Sequence, residues 1–222
     1  MKKLIAAVFA LCIVGGDAPA ITHYAHNVTT TANAAEIVDS GECGENVTWT
    51  LDSDGTLKIS GTGDMYDWDG NYEPEYFERR GETYNVIIEE GVTSIGDSVF
   101  SWLSVKSVSI AGSVVSIGDA AFVACFDLTE INIPDSVTSI GDRAFGDCTS
   151  LEKIKIPESV TSIGNAAFQW TGDLKEIYIL NPNCDIFDSN ETITNYRDNN
   201  GNMTYEGTIY GYEGSTAQAD AQ

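Results

Sequence analysis

One phrase recurs along this chain, and its spacing decides what the chain can fold into. Its fullest form runs from Leu128 to Cys148, as Leu-x-x-Ile-x-Ile-Pro-Asp-Ser-Val-Thr-Ser-Ile-Gly-Asp-x-Ala-Phe-x-x-Cys. It returns from Leu151 as LEKIKIPESVTSIGNAAF and is legible upstream from Val105 and from Val86. The isoleucine before the glycine falls at Ile95, Ile117, Ile140 and Ile163, in steps of 22, 23 and 23 residues. Five residues after each stands Phe100, Phe122, Phe145 or Phe168. Cys125 and Cys148 share a column with Leu103 and Thr171; Leu128, Leu151 and Leu174 form another. Self-similarity at such a period is the mark of stacked structural repeats.

Each copy reads as one coil of a mainly β solenoid. The segment L-x-x-I-x-I alternates apolar and polar residues at its end, which predicts a short strand. Copies of that strand would stack in parallel about 4.8 Å apart. Pro134 and Pro157 lack an N–H donor and end two of these strands. The following S-V-T-S-I is β-prone and suits a second ladder. Gly-Asp is then expected to turn the chain, and Ala-Phe to re-enter the interior. One coil cannot cover its own apolar face, so neighbouring coils must do so.

The motif IPxSVTSIGxxAFxxC resembles the bacterial surface leucine-rich repeats of the BspA type, also called treponemal-type repeats, over about Val86 to Leu180. The resemblance implies a leucine-rich repeat with about four coils of 22–23 residues. The first copy departs from the motif, with Ala111-Gly112 in place of the Pro-acid pair; the last has Trp170-Thr171 where cysteine is expected. Irregular outer copies fit the need for end rungs.

The flanks divide the rest. Residues 1–35 read as a secretory signal peptide and spacer: Met1-Lys2-Lys3 precedes a short apolar run. Cleavage after Ala20 or near Ala34 both fit. Residues 36–82 read as an N-terminal β cap. In it, Val47–Leu51 and Leu57–Ser60 flank an Asp-Gly turn, a hairpin signal. Residues 83–180 are the solenoid and 181–222 a C-terminal capping segment. There Thr208–Tyr212 reads as a last strand and Ser215 as the N-cap of a short helix. There is no second apolar segment and no LPxTG-like signal, so the chain is expected to be secreted, without membrane insertion after signal cleavage.

The formal net charge of −23 argues against nucleic acid, whose phosphates need basic patches. The only histidines, His23 and His26, lie in or beside the leader. That removes Ser-His nucleophile pairs and ordinary zinc ligation from the mature part. No cofactor is implied, and no enzyme activity is expected. Among the acids, Asp64, Asp67 and Asp69 are the calcium candidate, because oxygen ligands suit that ion; a solvated turn is the competing reading. Cys125 and Cys148 should stack about 4.8 Å apart, wider than the 3.5–4.5 Å between disulfide Cβ atoms, and so stay as buried thiols.

What remains is the outer face of the strand ladder. Glu130, Lys153 and Glu176 should form one column and Glu152 and Lys175 the next, with Asn132, Lys155 and Tyr178 on the same face. Solenoids often bind through such a face. Asn132, Lys153, Lys155, Glu176 and Tyr178 are therefore the candidate binding residues. By its resemblance the chain would mediate adhesion or recognition of a host or neighbouring-cell surface protein or glycan. The alternatives are a structural spacer or accessory module and, third, a carboxylate-based hydrolase.

Overall fold

The computed structural model describes residues 35–68, 82–187, 192–197, 203–213 and 215. The leader, Asp69 with the acidic stretch behind it, and the helix expected after Ser215 lie outside the described residues. By its internal contacts the chain divides into two units, Met1–Ala35 and Glu36–Gln222, and the strands described below belong to the second.

Among the described residues every regular element is a strand. The cap is a meander of β1 (Ile37–Glu42), β2 (Val47–Asp52) and β3 (Thr56–Gly61), antiparallel throughout. Its second turn is the expected Asp-Gly hairpin. Asp52 Oδ1 accepts the N–H of Asp54 and of Thr56, and Gly55 takes φ 80°. Then come β4 (Gly63–Asp64), β5 (Thr83–Ile88), β6 (Val92–Ile95), β7 (Ser104–Ile110), β8 (Ser116–Ile117), β9 (Glu130–Asn132) and β10 (Ser139–Ile140). They are followed by β11 (Lys153–Ile156), β12 (Ser162–Ile163), β13 (Phe168–Gln169), β14 (Glu176–Ile179), β15 (Asp185–Ile186), β16 (Ile193–Thr194), β17 (Tyr196–Arg197), β18 (Met203–Thr204) and β19 (Thr208–Tyr210).

These strands wind into a three-sided coil. On the first side β3, β5 and β7 continue the cap in parallel, and β9, β11, β14 and β19 form a second parallel block. The two blocks are separate hydrogen-bonded sheets. The second side is one six-stranded parallel sheet, in the order β15-β12-β10-β8-β6-β4. It is the ladder expected from S-V-T-S-I. It carries Ile95, Ile117, Ile140 and Ile163 in register, each no more than 2% exposed.

The third side is tighter. Phe100, Phe122 and Phe145 donate their N–H to the carbonyls of Ala121, Ala144 and Ala167 on the next rung. The phenylalanine rings stack at 5.2, 5.5 and 5.6 Å from Phe100 through Phe168, and all four are fully buried. Each such ring contributes roughly 1.5–3 kcal/mol by leaving water. Cys125 and Cys148 donate Sγ–H to the carbonyls of Phe100 and Phe122. None of the four described cysteines is joined in a disulfide.

The turn expected at Gly-Asp begins there, where the carbonyls of Gly118 and Gly141 accept the N–H of Ala121 and Ala144. Gly96, Gly118, Gly141 and Gly164 do not take positive φ; the left-handed positions come later in the coil. They are Ser98, Ala120, Arg143 and Ala166, and then Trp102, Ala124, Asp147 and Trp170, at φ between 51° and 62°. The glycine serves a close approach. Asp97, Asp119 and Asp142 lay their carboxylates along the ladder at its surface. Each Oδ1 accepts the backbone N–H of the next rung, from Asp119, Asp142 and Asn165, at 2.7 Å. A Cβ on Gly118, Gly141 or Gly164 would collide with that oxygen and with the backbone beneath it.

The strand ladder runs on past Leu180. Cys184 takes the buried place that Val92, Val114, Val137 and Val160 hold in earlier rungs, and β19 adds another strand beside β14.

Candidate binding face

The second block of the first side places the candidate residues. Alternation along each strand sends Ile131, Ile154, Ile177 and Ile156 inward and their neighbours outward. In-register pairing then sets Glu130, Lys153, Glu176 and Thr208 in one outward column. Asn132, Lys155, Tyr178 and Tyr210 form the other. All five sequence-selected residues thus lie on one surface.

The first column is satisfied internally. Lys153 Nζ lies 3.3 Å from Glu176 Oε2 and 4.8 Å above the Tyr178 ring. Tyr178 donates its hydroxyl to the same Glu176 oxygen at 3.2 Å. The hydrogen bond to Glu176, with the nearby Tyr178 and Glu176 charges, raises the Lys153 ammonium above its ordinary pKa. Desolvation and the Glu176 contact likewise push the Tyr178 phenol up. At this exposure the ion pair adds little to stability; its effect is to hold the Lys153 and Tyr178 side chains in place.

The second column is open. Tyr178 and Tyr210 stack at 4.3 Å with ring planes 7° apart. Tyr210 joins this column although it lies thirty residues beyond the Val86–Leu180 stretch that carries the motif. Its signal was the Thr-Ile-Tyr alternation of the last strand, which repeats Glu-Ile-Tyr of β14. Among the described residues Lys155 has no ion partner. It lines a cavity of about 310 Å³ with Asn132, Ile133, Pro134, Asp135 and Pro157.

The other candidates have structural work. Asp64 Oδ1 accepts the Thr93 hydroxyl at 2.6 Å, and that bond, with one from Ser94, lowers its pKa. Asp67 Oδ1 accepts the Asp97 N–H at 2.9 Å and so begins the carboxylate column. Asp69 lies outside the described residues, and among those described no three His, Cys, Asp or Glu side chains gather as a metal cage. A larger groove of about 670 Å³ follows the second side, along Ser116, Ser139 and Ser162, the ladder glycines and Asp119 and Asp142. Its lining backbone is committed to the ladders. No described helix is long and apolar enough to cross a membrane.

Comparison with known proteins agrees with this geometry. Residues 71–194 match the family model described as BspA type leucine rich repeat region, in 6 copies. A leucine-rich repeat protein from Eubacterium ventriosum superposes with a TM-score of 0.65 at 27% identity, over 79% of this chain and 44% of that one. One from Bacteroides capillosus gives 0.43 at 28% identity, over 63% and 96%. The leucine rich repeat protein of T. pallidum gives 0.47 at 17%, over 77% and 86%. The chain thus spans less than half the length of the Eubacterium protein. No curated protein matches it by sequence. With more than half its length inside the repeat model and the coils stacked as that repeat requires, the chain belongs to the BspA-type leucine-rich repeat family.

Proposed function

We propose that this chain is an exported recognition protein that holds a host or neighbouring-cell surface protein or glycan on its strand face. The carrying observation is the outward column of Asn132, Lys155, Tyr178 and Tyr210, which offers an amide, an ammonium and a ring pair side by side. Aromatic rings with a polar handle, next to a charge free to be desolvated, are what recognition surfaces enrich. The reading as an adhesin follows from the family, and the charged, apolar-run N-terminus supports export.

The test is retention on host-matrix and glycan arrays. The full chain should be retained, and Lys155→Glu with Tyr178→Ala should lose at least tenfold of the signal. Equal retention of the double variant would remove the strand face from the site.

A further inference from the structure

Resting on that reading, we infer that the cavity beside Lys155 takes a single sugar residue bearing a carboxylate, a uronic or sialic acid at the end of a glycan. The argument begins with charge. The chain carries about three times as many acidic as basic residues, so a cation without an acid beside it stands out. Among the described residues Lys58, Arg143 and Lys153 have ion partners, while Lys106, Lys155 and Lys175 do not; of these three, Lys155 lines the cavity. Lys155 sits between Asn132 and Tyr178 in its column, with no acid directly opposite. Its ammonium is left for an anion from outside.

Size and lining narrow the ligand further. About 310 Å³ is the lower end of what small-molecule sites occupy, enough for one ring and not for a chain. Asn132 supplies both a donor and an acceptor, and Asp135 supplies acceptors for ligand hydroxyls. Pro134 and Pro157 give the apolar walls a pyranose uses for its C–H face. One ammonium beside one carboxylate suits a ligand with one negative charge among several hydroxyls, and repels a polyanion. A protein partner fits less well. Four strands at about 4.8 Å, each about 13 Å long, cover roughly 250 Å², short of the ~800 Å² per side that a stable protein interface buries.

The experiment titrates the ¹⁵N-labelled full chain with methyl glucuronide, methyl sialoside, methyl glucoside and a short glutamate peptide. The two acidic sugars should shift the amides of residues 132–135 and 155–157 and saturate in the millimolar range; whichever binds tighter names the source. Methyl glucoside should bind at least tenfold more weakly. Lys155→Met should weaken the acidic sugars at least tenfold with the spectrum otherwise unchanged, and Lys155→Arg should keep most of the affinity. Equal binding of glucoside and glucuronide, or an unaffected Lys155→Met, overturns the inference. So does a glutamate peptide that binds as tightly as the sugars, which would give the cavity to a protein partner. If the acidic sugars fail while the array signal still depends on Lys155 and Tyr178, only the sugar assignment falls; if both fail, the strand face goes with it.

Discussion

Replacing Gly141 by alanine tests the account of the carboxylate column directly. A Cβ built there lies against Asp119 Oδ1, 2.6 Å from the Asp119 nitrogen and 2.7 Å from the Gly118 carbonyl carbon. Ordinary carbon contacts need about 3.5 Å, so the two rungs must part by nearly 1 Å. Three hydrogen bonds hold them at that place: Gly141 N–H to Ile117 O at 2.9 Å, Asp142 N–H to Asp119 Oδ1 at 2.7 Å, and Ala120 N–H to Asp142 O at 2.7 Å. Two are ordinary backbone bonds, worth about 0.5–1.5 kcal/mol each, and one is to a charged group, at about 1.5–3. Losing most of them predicts a destabilisation of about 3–5 kcal/mol, read as a lower urea midpoint at unchanged slope. Because two of the three clashes are with backbone, adding Asp119→Ala should recover only a minor part. Full rescue by Asp119→Ala, or a loss under about 1 kcal/mol, would refute the packing argument.

Phe145→Ala removes a fully buried ring from the middle of the stack, between neighbours at 5.5 and 5.6 Å; denaturant titration should show a loss of about 3–5 kcal/mol. Asp97 gives a pH signature. Desolvation, with the Asp67 and Asp119 carboxylates beside it, raises its pKa above the ordinary 3.8, against the hydrogen bond from Asp119 N–H. A raised carboxylate favours the folded state below the unfolded value and loses that contribution as pH rises through the folded one. Asp97→Asn keeps the acceptor and removes the charge, so it should raise the urea midpoint at neutral pH and show a smaller gain near pH 3; an equal or lower midpoint at neutral pH contradicts this.

The solenoid was legible in the sequence because its constraints repeat. A column of isoleucines at one spacing forces in-register stacking, and the predicted pairing of Ile117, Ile140 and Ile163 is what the second side shows. On the third side the buried phenylalanine column was legible, but the backbone that carries it was not, for a physical reason. Its left-handed positions are filled by serine, alanine, arginine, aspartate and tryptophan, none of which announces positive φ as glycine would. The eye goes to the adjacent glycine, whose role is to clear space for a carboxylate. The outer strand β1 was also unannounced: Ile37–Glu42 has one apolar pair and a glycine, and it is a strand because β2 offers it an edge.

The binding face shows the same division. Repeat spacing placed Glu130, Lys153 and Glu176 in one column, as the ladder shows, but set Glu152 and Lys175 beside it where the strands put Asn132, Lys155 and Tyr178. What register could not supply was the end of that column. Tyr210 reaches Tyr178 because β19 pairs in register beside β14, 32 residues on from it. Ile186 still keeps the 23-residue step from Ile163 and, with Cys184, an inward place; the step lengthens only on the first side, to 32 residues between Ile177 and Ile209. A motif search ends where spacing ends, but a ladder ends only where hydrogen bonding does. The ring pair that matters most to recognition therefore straddles the boundary between repeat and non-repeat. A truncation of the ladder before Thr208 would leave the repeats intact while removing half of the aromatic pair on this face.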